Sequence, residues 1–563
     1  MERIRHFYKK AGTRIYSLLL ILLLNQLSYA ERQISQFGIT WTFDKDYPVG
    51  RFANGDYWVV GPVTIIRIEP PSTEINGRTI NGSMLNPSPK LGTVQGYDST
   101  MYGSYGPHFK PSLNVARPNN KDLTASNPLI LQPHSSLVST ISIPEAGHRP
   151  QLKTAAILSV LAESAPEGSF RPSYCGVDKT IKFNKNQLDY SLLANLKPVP
   201  SRPGLAKVER YFERPWIDHV PRWMGRYHHP AENMPDYGRE MATQIGIGAL
   251  MLHLNFTEQE KETLLVRFVQ LGIDLYGIVQ DGGKVNWVGD GGHASGRKYP
   301  ILFAGLVLNN SDMKNIGRPD LPDYNPLHQA YVHFGEDDQV FYVSDDDIYK
   351  PPYKMHKQHD GFTYYGHGKG DKHRDYLEYK EHHRGMPEWG IVHATDRNQD
   401  GLDWDAPYRN SCTANSWAGF ILATYIMGAA DLWNHDALFD YMDRYMQVQK
   451  QAVGVGNWTR QQSKFTESMW DYYRPYYGTV WTMSPTLNIT AINGSVKKNS
   501  DKAAYALGEA VILKAVTDAG YKFMGWSGDL AGTDNPVRII MHANRSIMAN
   551  FAVSNNPQVL ESK

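Results

Sequence analysis

Three stretches of this chain gather side chains able to move protons or hold an anion. The first is "GRYHHPAENMPDYGRE", Gly225 to Glu240, with Tyr227, His228, His229, Asn233, Tyr237 and Arg239. The second is "NWVGDGGHASGRKYP", Asn286 to Pro300, with Asp290, His293, Arg297 and Lys298 among four glycines. The third is split between "HDGFTYYGH", which holds Tyr364 and Tyr365, and "DWDAPYRNSCTANSW", which holds Tyr408, Arg409 and Trp417. Glycines let backbone bend and approach other groups closely, and polar loops set on rigid elements are where binding and catalytic groups concentrate.

These residue types suit β-elimination from an acidic polysaccharide. The proton removed there lies next to a carboxylate, whose charge makes the carbanion costly. An amide or a cation must neutralise it and stabilise the enolate-like charge. A Tyr or His must take the proton, and another must deliver one to the leaving oxygen. Neighbouring positive charge lets a Tyr act as base. Asn233, His293, Arg297, Tyr364, Tyr365, Tyr408 and Arg409 supply those types; Tyr227, His228, His229, Tyr237, Arg239, Lys298 and Trp417 are the candidates for contacting sugar. Each has a plainer role in competition. Asn233 could cap a helix, His228 and His229 could close a turn before Pro230, and the tyrosines could pack. Arg297 and Lys298 could be charges at a helix start, where the dipole disfavours them. Arg409 could pair with Asp403 or Asp405. Hydrolysis is the rival chemistry. It needs two carboxylates, for which Asp281, Asp290, Glu388, Asp403 and Asp405 are available. A non-catalytic glycan-binding surface protein is the third reading.

One further stretch, "DRNQDGLDWD", sets Asp396, Asn398 and Asp400 at calcium-loop spacing, with Asp403 as a further oxygen ligand. Pro407 stands where the twelfth-position Glu of an EF-hand belongs. The expectation is therefore a simpler structural Ca²⁺ loop or an acidic turn. The histidines between Asp312 and Asn410 match no HExxH or paired CxxC pattern that would fix a transition metal.

The elements that must position these groups are legible from composition and period. The 563 residues are too many for one core, and 58 basic against 57 acidic residues leave no field for nucleic acid. Aromatics reach 12 %, a surplus that packs cores and also stacks on sugar rings. Residues 1–30 read as a secretory signal: a basic start, the apolar run "IYSLLLILLL", and small residues at Ser28 and Ala30, with cleavage after Ala30. That run is shorter than the about 20 residues a membrane span requires, and no later segment is long enough. The expected location is secreted or periplasmic, associated with the cell surface. Cys175 and Cys412 show no metal-ligand spacing.

The fold class expected is multidomain α+β. Residues 31–199 read as a β-sandwich-like domain and 200–217 as a linker. Residues 218–484 read as an α/α-toroid-like helical domain, with antiparallel helix pairs carrying the loops at one rim. Thr257 and Glu260 form a capping box there, ahead of a stripe of Leu264, Leu265, Phe268 and Leu271. Residues 485–553 read as a small β domain and 554–563 as a tail. The β domain carries Gly520, Tyr521, Phe523, Gly525, Trp526, Ser527, Gly528, Asp529, Asn535, Pro536, Asn544 and Phe551, and with them it closely resembles a divergent bacterial surface repeat. That implies a bacterial, exported protein with an accessory domain. The helix–loop–helix middle, with "NMPDYGRE" and "GGHASGRK", resembles exported polysaccharide lyases with an α/α-toroid catalytic domain, such as the alginate- and glucuronan-cleaving families. The resemblance implies Asn233 as neutraliser, His293 as base or acid, and one of Tyr364, Tyr365 and Tyr408 as the other proton carrier. It also implies an acidic polysaccharide as partner. The β domain here precedes the helices, the reverse of some toroid lyases.

Overall fold

A computed structural model describes residues 29–103, 108–233, 238–317, 331–349, 357–359, 362–364, 379–390, 407–451 and 460–554. The signal segment up to Ser28, Tyr237, Tyr365 and the calcium-loop residues Asp396, Asn398, Asp400 and Asp403 lie outside them. The chain carries both helices and strands and divides into two compact units.

The first unit covers most of residues 29–186. Its strands are β1 (Tyr29–Gln36), β2 (Ile39–Arg51), β3 (Tyr57–Val60), β4 (Val63–Glu69), β5 (Thr73–Ile75), β6 (Arg78–Ile80), β7 (Ser83–Leu85), β8 (Leu129–Leu131), β9 (Ser135–Ser142) and β10 (Leu152–Leu161). Eight of them form one sheet, with β5 and β6 a separate hairpin. The long β2 joins two groups. Thr40 to Phe43 pair with β4, while Val49 to Arg51 pair with β3, which leads in parallel to β10 and then to β9 and β7. Alternation along β2 puts Trp41, Phe43 and Val49 inside, where they meet Leu137, Leu158 and Val160 of the other group in one core. The two layers expected of a sandwich are thus hydrogen-bonded through one shared strand.

The second unit holds residues 187–563 with two short segments from earlier in the chain. Residues 187–199, expected with the sheet, instead bond to helices: Asp189 N donates to Val307 O, and Leu196 N to His253 O. The expected linker 200–217 contains a helix, Leu205–Tyr211, followed by Phe212 and Trp216, whose rings stack at 5.6 Å. Glu258–Gln280 starts at the capping box expected of Thr257 and Glu260. The Lys298–Val307, Ala418–Ile426 and Asp436–Gln451 helices fall on the periodic stretches; Lys464–Tyr473 was not anticipated. None of the helices among the described residues is long and apolar enough to cross a membrane.

Two glycines bring the Gly238–Leu252 and Ala418–Ile426 helices into backbone contact. A Cβ on Gly246 would lie 2.9 Å from Gly419 Cα, and one on Gly419 2.7 Å from Gly246 Cα. Seven residues before Gly246 and eight before Gly419, Arg239 hydrogen-bonds Ser411 O. The two segments therefore run side by side in the same direction.

Short pairs complete the middle: β11 (Val340–Tyr342) with β14 (Pro387–Trp389), and β12 (Lys357–His359) with β13 (Phe362–Tyr364). The C-terminal strands are β15 (Leu487–Ala491), β16 (Gly494–Lys498), β17 (Glu509–Thr517), β18 (Tyr521–Gly528), β19 (Val537–Met541) and β20 (Arg545–Val553). They form two three-stranded sheets around Val511, Leu513, Trp526, Met541 and Ile547. Gly246→Val should push the two glycine-paired helices apart and cost about 1–3 kcal/mol, the usual range for overpacking. Denaturant unfolding checks this, and an unchanged midpoint would mean that the backbones do not touch.

Candidate functional site

The Gly-rich loop before the Lys298 helix is packed against backbone on several sides. A Cβ on Gly292 would lie 2.0 Å from Cys412 O. One on Gly238, at the start of its helix, would lie 2.2 Å from His293 Cα, and one on Gly335 3.0 Å from Ala294. Close approach is the reason for these glycines. The loop is then tied down by an acidic turn, Gly335–Gln339. Asp338 Oδ2 accepts from Gly289 N at 2.9 Å, and Glu336 Oε2 accepts from Gly296 N at 2.9 Å. Gln339 Nε2 donates to Gly291 O at 3.0 Å. Asp337 binds Lys298 Nζ at 2.6 Å, and its other oxygen accepts from Trp433 Nε1. Three consecutive acids before an amide were the signal for this brace, and sequence reading passed over them.

Several residues expected to face substrate are buried in the scaffold. Lys298 is fully buried between Asp337 and Trp433 O. Arg297 donates to Asp218 Oδ2 at 2.8 Å. Burial works to raise the Asp218 carboxyl, but Arg297 and His229 outweigh it and hold it at about 2. Arg409 pairs with Glu388 at 2.9 Å; Asp403 and Asp405, the partners expected for it, lie outside the described residues. Trp417, His228 and His229 are also buried, as is Tyr227. Desolvation drives the His228 imidazole far below its usual range and the neighbouring His219 to about 4, so both are neutral at pH 7. Asn233 spends its amide on backbone: Nδ2 donates to Arg214 O at 3.0 Å and Oδ1 accepts from Arg214 N at 3.4 Å. These groups shape the rim from beneath.

His293 and Arg239 are the groups nearer solvent here, and they adjoin one another. His293 is the partly exposed imidazole of the loop, with its Cα at the start of the Gly238 helix. Arg239, the next residue of that helix, is about a quarter exposed; it donates to Ser411 O and to Glu240 Oε1. Gly292 lies between Arg239 Cβ and Cys412 O. Tyr408 precedes them in the Pro407–Ser411 helix, and Tyr364 ends β13. Between the Arg239–Ser411 contact and the Gly246–Gly419 contact lie Thr243, Gln244 and Asn415. Asn415 is 1 % exposed, and among the described residues neither its Oδ1 nor its Nδ2 has a hydrogen-bond partner. Gln244 Oε1, Thr243 Oγ1 and Thr413 Oγ1 are buried and unpartnered in the same sense. An unpaired buried amide costs about 1–3 kcal/mol, so Asn415 is the residue here that most needs a ligand or a water. Nothing in its sequence setting, between Ala414 and Ser416, separates it from a helix-start residue.

One group of potential metal ligands occurs among the described residues. His382, His383 and Asp529 place ligand atoms within 4.8 Å of one another. The atoms of Asp529 and His383 are already in use, while His382 Nε2 lies 3.3 Å from Asp529 Oδ2. Lys380 Nζ and Ser546 N donate to the two Asp529 oxygens, each at 2.6 Å. His383 accepts from Lys380 N through Nδ1 and faces Asn544 O through Nε2. The cluster is a polar clamp in this geometry.

Residues 485–555 match the family described as the divergent InlB B-repeat domain. No curated protein and no solved structure matches the chain.

The brace under the loop makes a pH-dependent prediction. Burial first, and the charge of Asp337 second, push the Glu336 carboxyl from 4.5 up to about 8. The folded protein therefore keeps a proton that the unfolded chain releases above about 4.5, and stability falls as pH rises from there to about 8. Glu336→Gln should remove that fall. Its unfolding midpoint relative to the parent should climb between pH 5 and 8.5, and a pH-independent difference would show that Glu336 is ionised in the fold.

Proposed function

We propose that this chain is an exported carbohydrate-active enzyme that cleaves a uronate-containing polysaccharide by β-elimination, on a helical domain of α/α-toroid type. The observation that carries the reading is the unpartnered amide of Asn415, buried beside the Gly238–Leu252 helix, which bears Arg239 and against whose first residue His293 packs. A buried amide with free donor and acceptor atoms is suited to hold a sugar carboxylate as charge develops on it. Arg239 supplies a guanidinium at the mouth. His293 takes the C5 proton, the C4=C5 double bond forms, and the C4–O4 bond breaks. Protonation of the leaving oxygen we assign to Tyr408, one turn before Cys412. The role assigned to Asn233 by resemblance passes to Asn415, because the Asn233 amide is committed to Arg214.

The hydrolase reading draws less support. Glu336, Asp337, Asp338 and Glu388 are locked in buried bonds under the rim, whereas hydrolysis needs two carboxylates flanking the sugar. The aromatic surplus is likewise spent inside, as the buried Trp287, Trp389, Trp417 and Trp433 show.

The test is ultraviolet absorbance of the purified protein with alginates, glucuronans, ulvan and glycosaminoglycans. A conjugated double bond at each new non-reducing end is the expected product. New reducing ends without absorbance would move the case to hydrolysis. On the responsive substrate, His293→Ala should lower turnover about 10²–10⁴-fold, the usual weight of a general acid or base, with the fold intact. Asn415→Leu should do two things together. It should lower turnover about 10²–10³-fold and raise the unfolding temperature, because an unpaired buried amide is replaced by an apolar group of similar shape. A loss of stability instead would make Asn415 structural and remove it from the mechanism.

A further inference from the structure

We propose that the C-terminal repeat is a brace for the rim, and that its β19–β20 turn positions residues 409–415. The inference rests on the rim being the functional site, but its test does not require activity.

The turn His542–Asn544 is inserted among residues of the helical part. Ala543 is almost fully buried in a small core with Phe341, Val343, Tyr379 and Met386. Around that apolar plug lies a polar collar. Lys380 Nζ reaches Asp529, His383 Nε2 reaches Asn544 O, and Asn544 Nδ2 donates to His382 O at 3.3 Å. Asp529 is held below its ordinary value, because the bonds from Lys380 and Ser546 N outweigh its burial.

From this turn a relay of buried charge leads to the rim. Arg444, in the Asp436–Gln451 helix, donates to His542 O through Nε at 3.1 Å and through Nη2 at 3.0 Å. Its Nη1 donates to Pro387 O at 2.7 Å and to Glu388 Oε2 at 3.1 Å. Glu388 Oε1 takes Arg409 at 2.9 Å. Two residues beyond Arg409, Ser411 O accepts from Arg239, and Cys412 O abuts Gly292 next to His293. Arg444, Glu388, Arg409 and His542, the core of the relay, are all buried. An Arg left without the carbonyl it donates to would keep a desolvated charge with unmet donors. Removing the turn therefore leaves Arg444 under-satisfied, and it can recover only by moving Glu388, which holds Arg409. A pendant accessory domain has no such connection.

The experiment is hydrogen exchange on the full chain carrying Ala543→Glu, which drives a carboxylate into the apolar plug and leaves every relay residue in place. The expected result is at least tenfold faster exchange at residues 410–415 and in β14. Exchange in the Glu258–Gln280 helix and in β17 and β20 should be unchanged. If β14 loses protection while 410–415 keep theirs, the repeat does not position the rim. A uniform rise throughout would reduce its role to general stability and also overturn the proposal. Should Ala543→Glu not yield folded protein, Arg444→Lys is read the same way. It keeps a charge for Glu388 and loses the paired bonds to His542 O, and the same local rise at 410–415 is expected. Absorbance on a uronate polysaccharide, run beside it, separates this inference from the proposed reaction: a parent protein with no activity would leave the exchange result standing.

Discussion

The second unit is organised around a carboxylate with no access to water. Glu388 is fully buried, and so are both guanidiniums bound to it, Arg409 and Arg444. Burial alone would push that carboxyl up; the two arginines outweigh it and hold it below its ordinary value. An ion of this size pays several kcal/mol of desolvation in a protein interior, recovered only if geometry is good and every remaining donor finds an acceptor. The acceptors come from far apart: Tyr441 Oη for Arg409, then Pro387 O and His542 O for Arg444. Four separate stretches of chain must arrive together before any one of these charges is tolerable. That requirement ties the rim, the β11–β14 pair, the Asp436 helix and the terminal repeat into a single cooperative assembly.

The same rule explains which features were legible in the sequence. Helices were, because period and capping are local: Thr257 and Glu260 close their box within one turn, and the Lys298 and Ala418 helices follow apolar runs. The terminal strands were, because alternation and Gly turns recur every few residues. Destinations of charges were not. Arg297 meets an Asp 79 residues away, Lys298 one 39 residues away and Arg409 a Glu 21 residues away. A basic residue beside glycines in a polar loop looks the same whether it awaits an anionic sugar or already holds a buried carboxylate. Domain edges suffered similarly. Residues 187–217 carry weak local preference, and long-range bonds such as Leu196 N to His253 O assign them to the helices.

The glycines of 286–300 bear on the same distinction. Each was compatible with a mobile binding loop, yet Gly292 and its contacts Gly238 and Gly335 are required by backbone packed against backbone. The loop is a fixed platform, held from below by Glu336, Asp338 and Gln339. Rigidity of that kind suits a group that must be presented at one position, and Asp290 and His293 are the titratable side chains of the loop left partly exposed. Arg297 and Lys298, two of the residues that made the loop look chemical, are the parts that fix it.

Among the polar atoms that the described residues leave without a hydrogen-bond partner are both ends of the Asn415 amide. Native interiors pair nearly all buried polar groups, because each unpaired one costs as much as a good hydrogen bond returns. The triple use of Arg444 and the bidentate Asp443–Arg474 pair follow that rule. Asn415, with both ends of its amide open between the Arg239–Ser411 contact and the Gly246–Gly419 contact, departs from it. The contrast is between Glu388, whose charge two arginines meet, and Asn415, whose amide the described residues leave open at both ends.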